Sequence, residues 1–187
     1  PITSDDGVID EDGCIRDTTL EAMSKLNPVF KDNGSVTAAT SSPLTDGAVS
    51  MLVCSSEFAE KNDLKPLARI VTSAVSGCPP NLMGIGPISS TQKALELSGW
   101  DIKDIDVFEI NEAFSSQSIA VIDELSIDYD KVNIDGGAIS IGHPLGASGA
   151  RIVGKAASIL DRTKTERAIA TMCIGGGMGI TIALERP

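Results

Sequence analysis

Histidine occurs once in the 187 residues, as His143, and the four cysteines, Cys14, Cys54, Cys78 and Cys173, are scattered without a C-x-x-C pair. These shortages exclude the usual zinc spacings and give no disulfide framework. Aromatic residues make up only 3% of the chain, while Ala, Ile, Val and Gly are plentiful, a balance that suits packed α/β layers. Cations are short as well: 15 Lys and Arg stand against 26 Asp and Glu, for a net charge of −11. Nucleic-acid binding needs a basic face to meet phosphates, and the spacing of these cations supplies none. A local patch could still hold an anionic ligand. No apolar run reaches membrane-spanning length and no signal peptide is legible, so free thiols lead to the expectation of a reducing, cytoplasmic setting.

The 42% of hydrophobic residues is enough for the core of one domain, or one and a fraction. Residues 1–41 are polar and turn-rich, with "SDDG", "DEDG" and "KDNG" and one short helix expected near Thr18 to Lys25. They read as a lid or surface excursion. Beyond them, "DGAVSMLVCS" predicts a buried strand over Ala48 to Cys54, and "SEFAEKND" a short helix capped by Ser56. The alternation continues with a strand over Leu67 to Ser76 and a helix "ISSTQKALELSG" ending at Gly99. Next come a strand "DVFEI", a helix over Glu112 to Leu125, a short strand at "KVNID" and a long helix "ASGARIVGKAASIL". The hairpin "RAIATMC", glycine turn, "GITIALE" closes the chain. The expected fold is α/β, with a mixed five-stranded sheet and helices on both faces.

Ligands in such sheets bind beyond the carboxyl ends of strands. Three notable stretches fall there: "NEAF" (Asn111 to Phe114), "GGAISIGHPLGASGAR" (Gly136 to Arg151) and "CIGGGMG" (Cys173 to Gly179). A site collecting them would hold an imidazole, a thiol, a carboxamide and exposed amides. Each residue also has a plainer reading. Cys173 could be a small core hydrophobe, His143 a structural histidine at the start of the long helix, and Asn111 a helix cap. Glu112 could be a first-turn charge complementing the helix dipole, and Arg151 reads as solvated surface. The glycine run makes a poor dinucleotide motif, because it lies in a hairpin and not between strand and helix.

In order and spacing, these three stretches resemble the C-terminal signatures of the thiolases, the acetyl-CoA C-acyltransferase family. Upstream, "VTAATSSPLTDGAVSMLV" and "TTLEAMSKLNPVF" resemble the family's approach from cap to core. The resemblance implies residues 1–41 as the end of the cap, 42–64 as the last strand and helix of the N-terminal half, and 65–187 as the C-terminal domain. It implies acyl transfer between coenzyme A thioesters, by condensation of acetyl-CoA or thiolysis of 3-ketoacyl-CoA, with no metal and no cofactor.

Cys173 would serve as acid/base, provided its environment favours the thiolate. His143 and a water held by Asn111 would stabilise the enolate oxygen, and His143 would activate the acyl-accepting cysteine. The amide of Gly175 would help form an oxyanion hole. Ser42, Phe30, Ala113 and Phe114 would line the pantetheine pocket. Nothing in the sequence matches the surroundings of the family's nucleophilic cysteine, so an N-terminal thiolase half is the implied partner. The full-length form is expected as a homodimer or homotetramer. "AATSSP" departs from the "AGNASG" of many biosynthetic members and is closer to some degradative ones. Retention of His143 and Cys173 favours an enzyme over the alternative, a non-catalytic CoA-binding or assembly module. The acid/base cysteine argues against a hydroxymethylglutaryl- or ketoacyl-forming condensing enzyme.

Overall fold

A computed structural model of the chain describes residues 1–187. The N-terminal stretch holds two short antiparallel strands, β1 (Ile2–Ser4) and β2 (Gly7–Ile9), and a helix α1 (Leu20–Ser24), all without a buried residue. Helix α2 (Ser56–Lys61) follows; its cap is Ser55, whose hydroxyl accepts from Phe58 N at 3.2 Å, one residue before the expected Ser56. Strand β3 (Arg69–Gly77) leads through a 3-10 turn at Pro80–Ile85 into α3 (Gly86–Ser98), which ends on Gly99 at φ +70°. Then come β4 (Val107–Ile110), α4 (Ser115–Leu125), α5 (Ala138–Ile141) and α6 (Leu145–Thr163). The expected hairpin closes the chain as β5 (Arg167–Ile174) and β6 (Met178–Glu185).

The main sheet has the order β3-β6-β5-β4, with β4 parallel to β5 and the other pairs antiparallel. It is mixed, as expected, but has four strands where five were expected. The segment 48–54 forms no ladder: no neighbouring strand meets its amides, and Met51, Leu52 and Val53 stand exposed. "KVNID" also fails as a strand. It makes a single bridge, Val132 to Phe108, after which Asn133 turns to φ +45° and pairs with β4 through its side chain. Its Oδ1 accepts from Ile110 N and its Nδ2 donates to Ile110 O, both at 2.9 Å. One amide side chain thus does the work of another strand residue.

Alternation along β4 divides the core. Phe108 and Ile110 pack with Leu95 of α3 and with Val121, Ile122 and Leu125 of α4. Val107 packs on the opposite face with Ile152, Val153, Ala156, Ile159 and Leu160 of α6. Helices therefore cover both faces. A hydroxyl cluster lies between α3 and the sheet, where Thr181 bonds Ser90 (2.8 Å), Thr91 (3.0 Å) and Thr171 (2.7 Å). This close seat needs two glycines, since a Cβ on Gly179 would stand 2.1 Å from the carbonyl of Gly86. No helix is long and apolar enough to cross a membrane.

Gly179→Ala is therefore expected to destabilise the chain by about 3 kcal/mol through overpacking against backbone. Gly146→Ala, in α6 with no atom within 4 Å of the added Cβ, should stabilise it by about 0.5–1 kcal/mol. Urea unfolding of the two variants checks both signs; equal effects would contradict this account of the α3 seat.

Candidate active site

β4 and β5 run parallel with Ile110 opposite Thr171, so their carboxyl ends open on one edge of the sheet. Asn111 N still donates to Thr171 O (3.0 Å), but the chain then leaves the ladder. The expected helix from Glu112 starts instead at Ser115, with Phe114 as the extended cap residue. Residues 41–43 explain the delay. Ser42 donates both its N–H (3.1 Å) and its hydroxyl (3.2 Å) to Ala113 O, and Ser41 bridges Phe114. Next along the strap, Pro43 O accepts from His143 N at 3.0 Å. One extended strap thus joins the Asn111 loop to the His143 loop. Neither plain reading of that loop holds: Asn111 caps no helix, and Glu112 lies outside α4.

The strap also gathers the four residues expected at the pantetheine pocket. Ser42 and Ala113 are hydrogen-bonded, and the Phe30 ring stands edge-on to Phe114 with centroids 6.1 Å apart. Phe30 is 73% exposed, so its outer side is free.

His143 and Asn111 are both buried, with Asn111 Nδ2 3.3 Å from His143 Nε2. On the other side of the ring, Nδ1 lies 2.6 Å from Ser148 Oγ, and that hydroxyl donates to Pro144 O (3.1 Å). A hydroxyl has one hydrogen; with it committed to Pro144, Nδ1 carries the ring proton and donates to Ser148. Nε2 then holds a lone pair, which receives the Asn111 amide. Burial, and then the charge of Arg151, lower the His143 pKa below its ordinary 6.5, so the ring is neutral at pH 7. Asn111 Oδ1 is buried without a partner and can accept a hydrogen bond.

Cys173 is buried on the neighbouring strand end and makes no hydrogen bond to His143 or Asn111. It pairs with Gly179, whose missing side chain would face α3, so the thiol stands on the α3 side of the sheet. His143 stands toward α6, through Ser148. Burial pushes the Cys173 thiol up; a backbone hydrogen bond offsets part of this, and nearby Cys78 adds to it. The thiol form therefore dominates at neutral pH, contrary to an environment that favours the thiolate. Gly175 is exposed in the turn, with nothing within 4 Å of where a Cβ would be. Cys78 N donates to Gly177 O (2.8 Å), which ties the end of β3 to the same turn.

The family model for the thiolase C-terminal domain matches residues 64–186, and that for the thiolase N-terminal domain matches residues 1–57. The chain belongs to the thiolase family. It is 48% identical over 181 residues to an acetyl-CoA acetyltransferase of Paracoccus denitrificans, covering 96% of this chain and 46% of that protein. Against a 3-ketoacyl-CoA thiolase of Saccharophagus degradans it is 49% identical over 184 residues, covering 96% and 47%. The crystal structure of human mitochondrial 3-ketoacyl-CoA thiolase in complex with CoA superposes with a TM-score of 0.90 at 42% identity, covering 100% of this chain and 48% of that one. The chain thus spans less than half the length of these thiolases.

Sequence reasoning missed Glu109 beneath this thiolase edge and misplaced Arg151. Glu109, two residues before Asn111, is 1% exposed, and its Oε1 has no hydrogen-bond partner. Burial pushes its pKa up to about 7, against the opposing pull of Arg151 and Lys155. Lys155 is itself paired with Asp135 at 2.5 Å. Arg151 is half-buried, with its Nε enclosed and unpartnered, so the reading of it as solvated surface is corrected. It sits on α6 over the Glu109 face of β4, a placement that only the fold reveals.

A carboxyl whose folded pKa lies above its unfolded value stabilises the fold at low pH and loses that contribution as pH rises through the folded pKa. For Glu109 the loss runs from about 4.5 through about 7, and by pH 8 it is on the order of 3 kcal/mol. Glu109→Gln should therefore raise stability at pH 8 and change it little at pH 4.5, as read by urea unfolding. An equal gain at both pH values would show that ionisation of Glu109 is not the cause.

Proposed function

We propose that this chain is the C-terminal part of a thiolase transferring an acyl group between coenzyme A thioesters, with acetyl-CoA or a 3-ketoacyl-CoA as substrate. The observation that carries the reading is the buried Asn111–His143 hydrogen bond on an edge shared with Cys173. A thioester lying across that edge meets the imidazole from the α6 side and the thiol from the α3 side.

In the cleavage direction, His143 Nε2, its lone pair released by the Asn111 amide, takes the proton of a nucleophilic cysteine brought by the N-terminal half, and the thiolate attacks the 3-keto carbonyl. The bond between the keto carbon and the α-carbon then breaks, leaving an acyl-cysteine and the enolate of the departing thioester. His143, now protonated on Nε2, donates to the enolate oxygen, together with a water held by Asn111. Cys173 gives its proton to the α-carbon; its raised pKa keeps it in the thiol form this step needs. The Cys173 thiolate next takes the proton of incoming coenzyme A, whose sulfur attacks the acyl-cysteine; the first cysteine leaves as a thiolate and recovers its proton from His143 Nε2. Condensation is the reverse, and no cofactor enters either direction. The amide of Gly175, a residue exposed in the turn, is the oxyanion donor of the acyl-enzyme steps, and the cluster of Ser42, Phe30, Ala113 and Phe114 takes the pantetheine arm.

The N-terminal half is the partner that completes the site. A cleft of about 200 Å³ lined by Met51, Val53, Ile152, Val153, Met172 and Ile182 offers it an apolar seat. The full-length protein is a homodimer or homotetramer, and the four free cysteines of this chain suit a reducing, cytoplasmic setting.

Alone, the chain should neither make nor thiolyse acetoacetyl-CoA; joined to a cysteine-bearing N-terminal thiolase half, it should do both. In that assembly Cys173→Ala should slow condensation on the order of 10²–10⁴-fold and slow acylation by acetyl-CoA, followed by mass spectrometry, much less, because a coenzyme A thiolate can depart unprotonated whereas the α-carbon proton needs a base. His143→Ala should impair both half-reactions. Activity of the purified chain alone would refute the incomplete-site reading, and a Cys173→Ala assembly that condenses at an unaltered rate would assign the thiol a different role. Assembly and CoA binding without turnover would favour the binding-module alternative.

A further inference from the structure

Glu112 stands beside the edge, and acyl transfer leaves its carboxylate without a task. Each of its two oxygens accepts a hydrogen bond from the fold. Oε2 accepts from Ile139 N at 3.1 Å and Oε1 accepts from Asn133 Nδ2 at 2.7 Å. Ile139 lies in the first turn of α5, whose own cap residue, Gly137, has no side chain to offer. The cap is therefore supplied from a distant part of the chain. Gly137 makes room for it: a Cβ there would stand 2.3 Å from the Glu112 carboxyl carbon.

These contacts close a ring around the imidazole. Asn133 is anchored to the end of β4 by its two bonds to Ile110, and Glu112 joins Asn133 to α5. α5 ends at Ile141, two residues before His143, and the His143 ring returns to Asn111, the covalent neighbour of Glu112. The loop 137–143 is thus held at both ends by two consecutive residues.

We propose that Glu112 is a positioning residue, whose capping of α5 fixes the height and tilt of the His143 ring over Asn111. The inference rests on reading His143 as an acid/base group, but its test does not need turnover. His143 is the only histidine, so its ring nitrogens give single NMR signals. The charge that acts on the ring is Arg151 on α6, which opposes protonation; Glu112 lies next to Asn111 in the chain, the buried Glu109 of β4 has its pKa raised to about 7, and Cys173 on β5 is in the neutral thiol form.

Loss of the Glu112 charge, taken alone, would make the imidazolium less favourable and lower the His143 midpoint. Loss of position admits water to the ring and raises the midpoint toward 6.5. The two effects have opposite signs. In the 187-residue chain, Glu112→Gln is expected to raise the midpoint and to replace the single Nδ1–H tautomer with a mixture. Gly137→Ala, which keeps the charge but displaces the carboxylate, should do the same. Added to Glu112→Ala, it should change little further.

A midpoint that falls or stays, with the tautomer intact, overturns the proposal. So does loss of the whole fold in both single variants by circular dichroism, because the ring lies outside both apolar cores. If the midpoints rise as expected but the assembled protein shows no acyl transfer, the functional reading falls and the positioning role stands.

Discussion

The parallel pairing of β4 with β5 is the constraint from which the site follows. Parallel strands must end on the same edge, so the loops after Ile110 and Ile174 leave the sheet side by side. Such an edge carries backbone groups with no ladder partner, and burying them unpaired would cost too much. Residues 41–43 meet part of this demand through Ala113 and His143, and Asn133 meets another part through Ile110. The segments that satisfy the edge are also those that hold Asn111 and His143 at hydrogen-bond distance.

Burial then sets the proton chemistry. The same exclusion of water acts in opposite directions on a base and an acid: it lowers the His143 pKa and raises that of Cys173. At neutral pH this leaves an unprotonated imidazole and a protonated thiol, a complementary pair of proton acceptor and donor. Arg151 reinforces the imidazole side and also faces Glu109, so α6 contributes charge to the edge as well as apolar surface to the core.

What could be read in the sequence was local. Apolar alternation located β3, β4 and the β5–β6 hairpin, Gly99 marked the end of α3, and the motif residues His143, Cys173 and Asn111 all fall on the strand-end edge. What could not be read depended on distant partners. Asn followed by Glu imitates a helix start, yet α4 begins later because Ser42, 71 residues away, holds Ala113 extended. "KVNID" has strand-forming residues, but a side-chain amide takes the place of its ladder. Residues 48–54 have the apolar pattern of a strand and find none to pair with. The capping role of Glu112 has no local signature, because donor and acceptor are 27 residues apart.

The central claim is that the edge formed by β4 and β5 is one thioester site, served from opposite sides by His143 and Cys173. The most direct measurement is a crystal structure of the chain assembled with a cysteine-bearing N-terminal thiolase half and acetyl-CoA. The account predicts the thioester oxygen within hydrogen-bond distance of His143 Nε2 and the acetyl methyl directed at the Cys173 sulfur. A thioester lying away from this edge, or one whose methyl group faces away from Cys173, would contradict it.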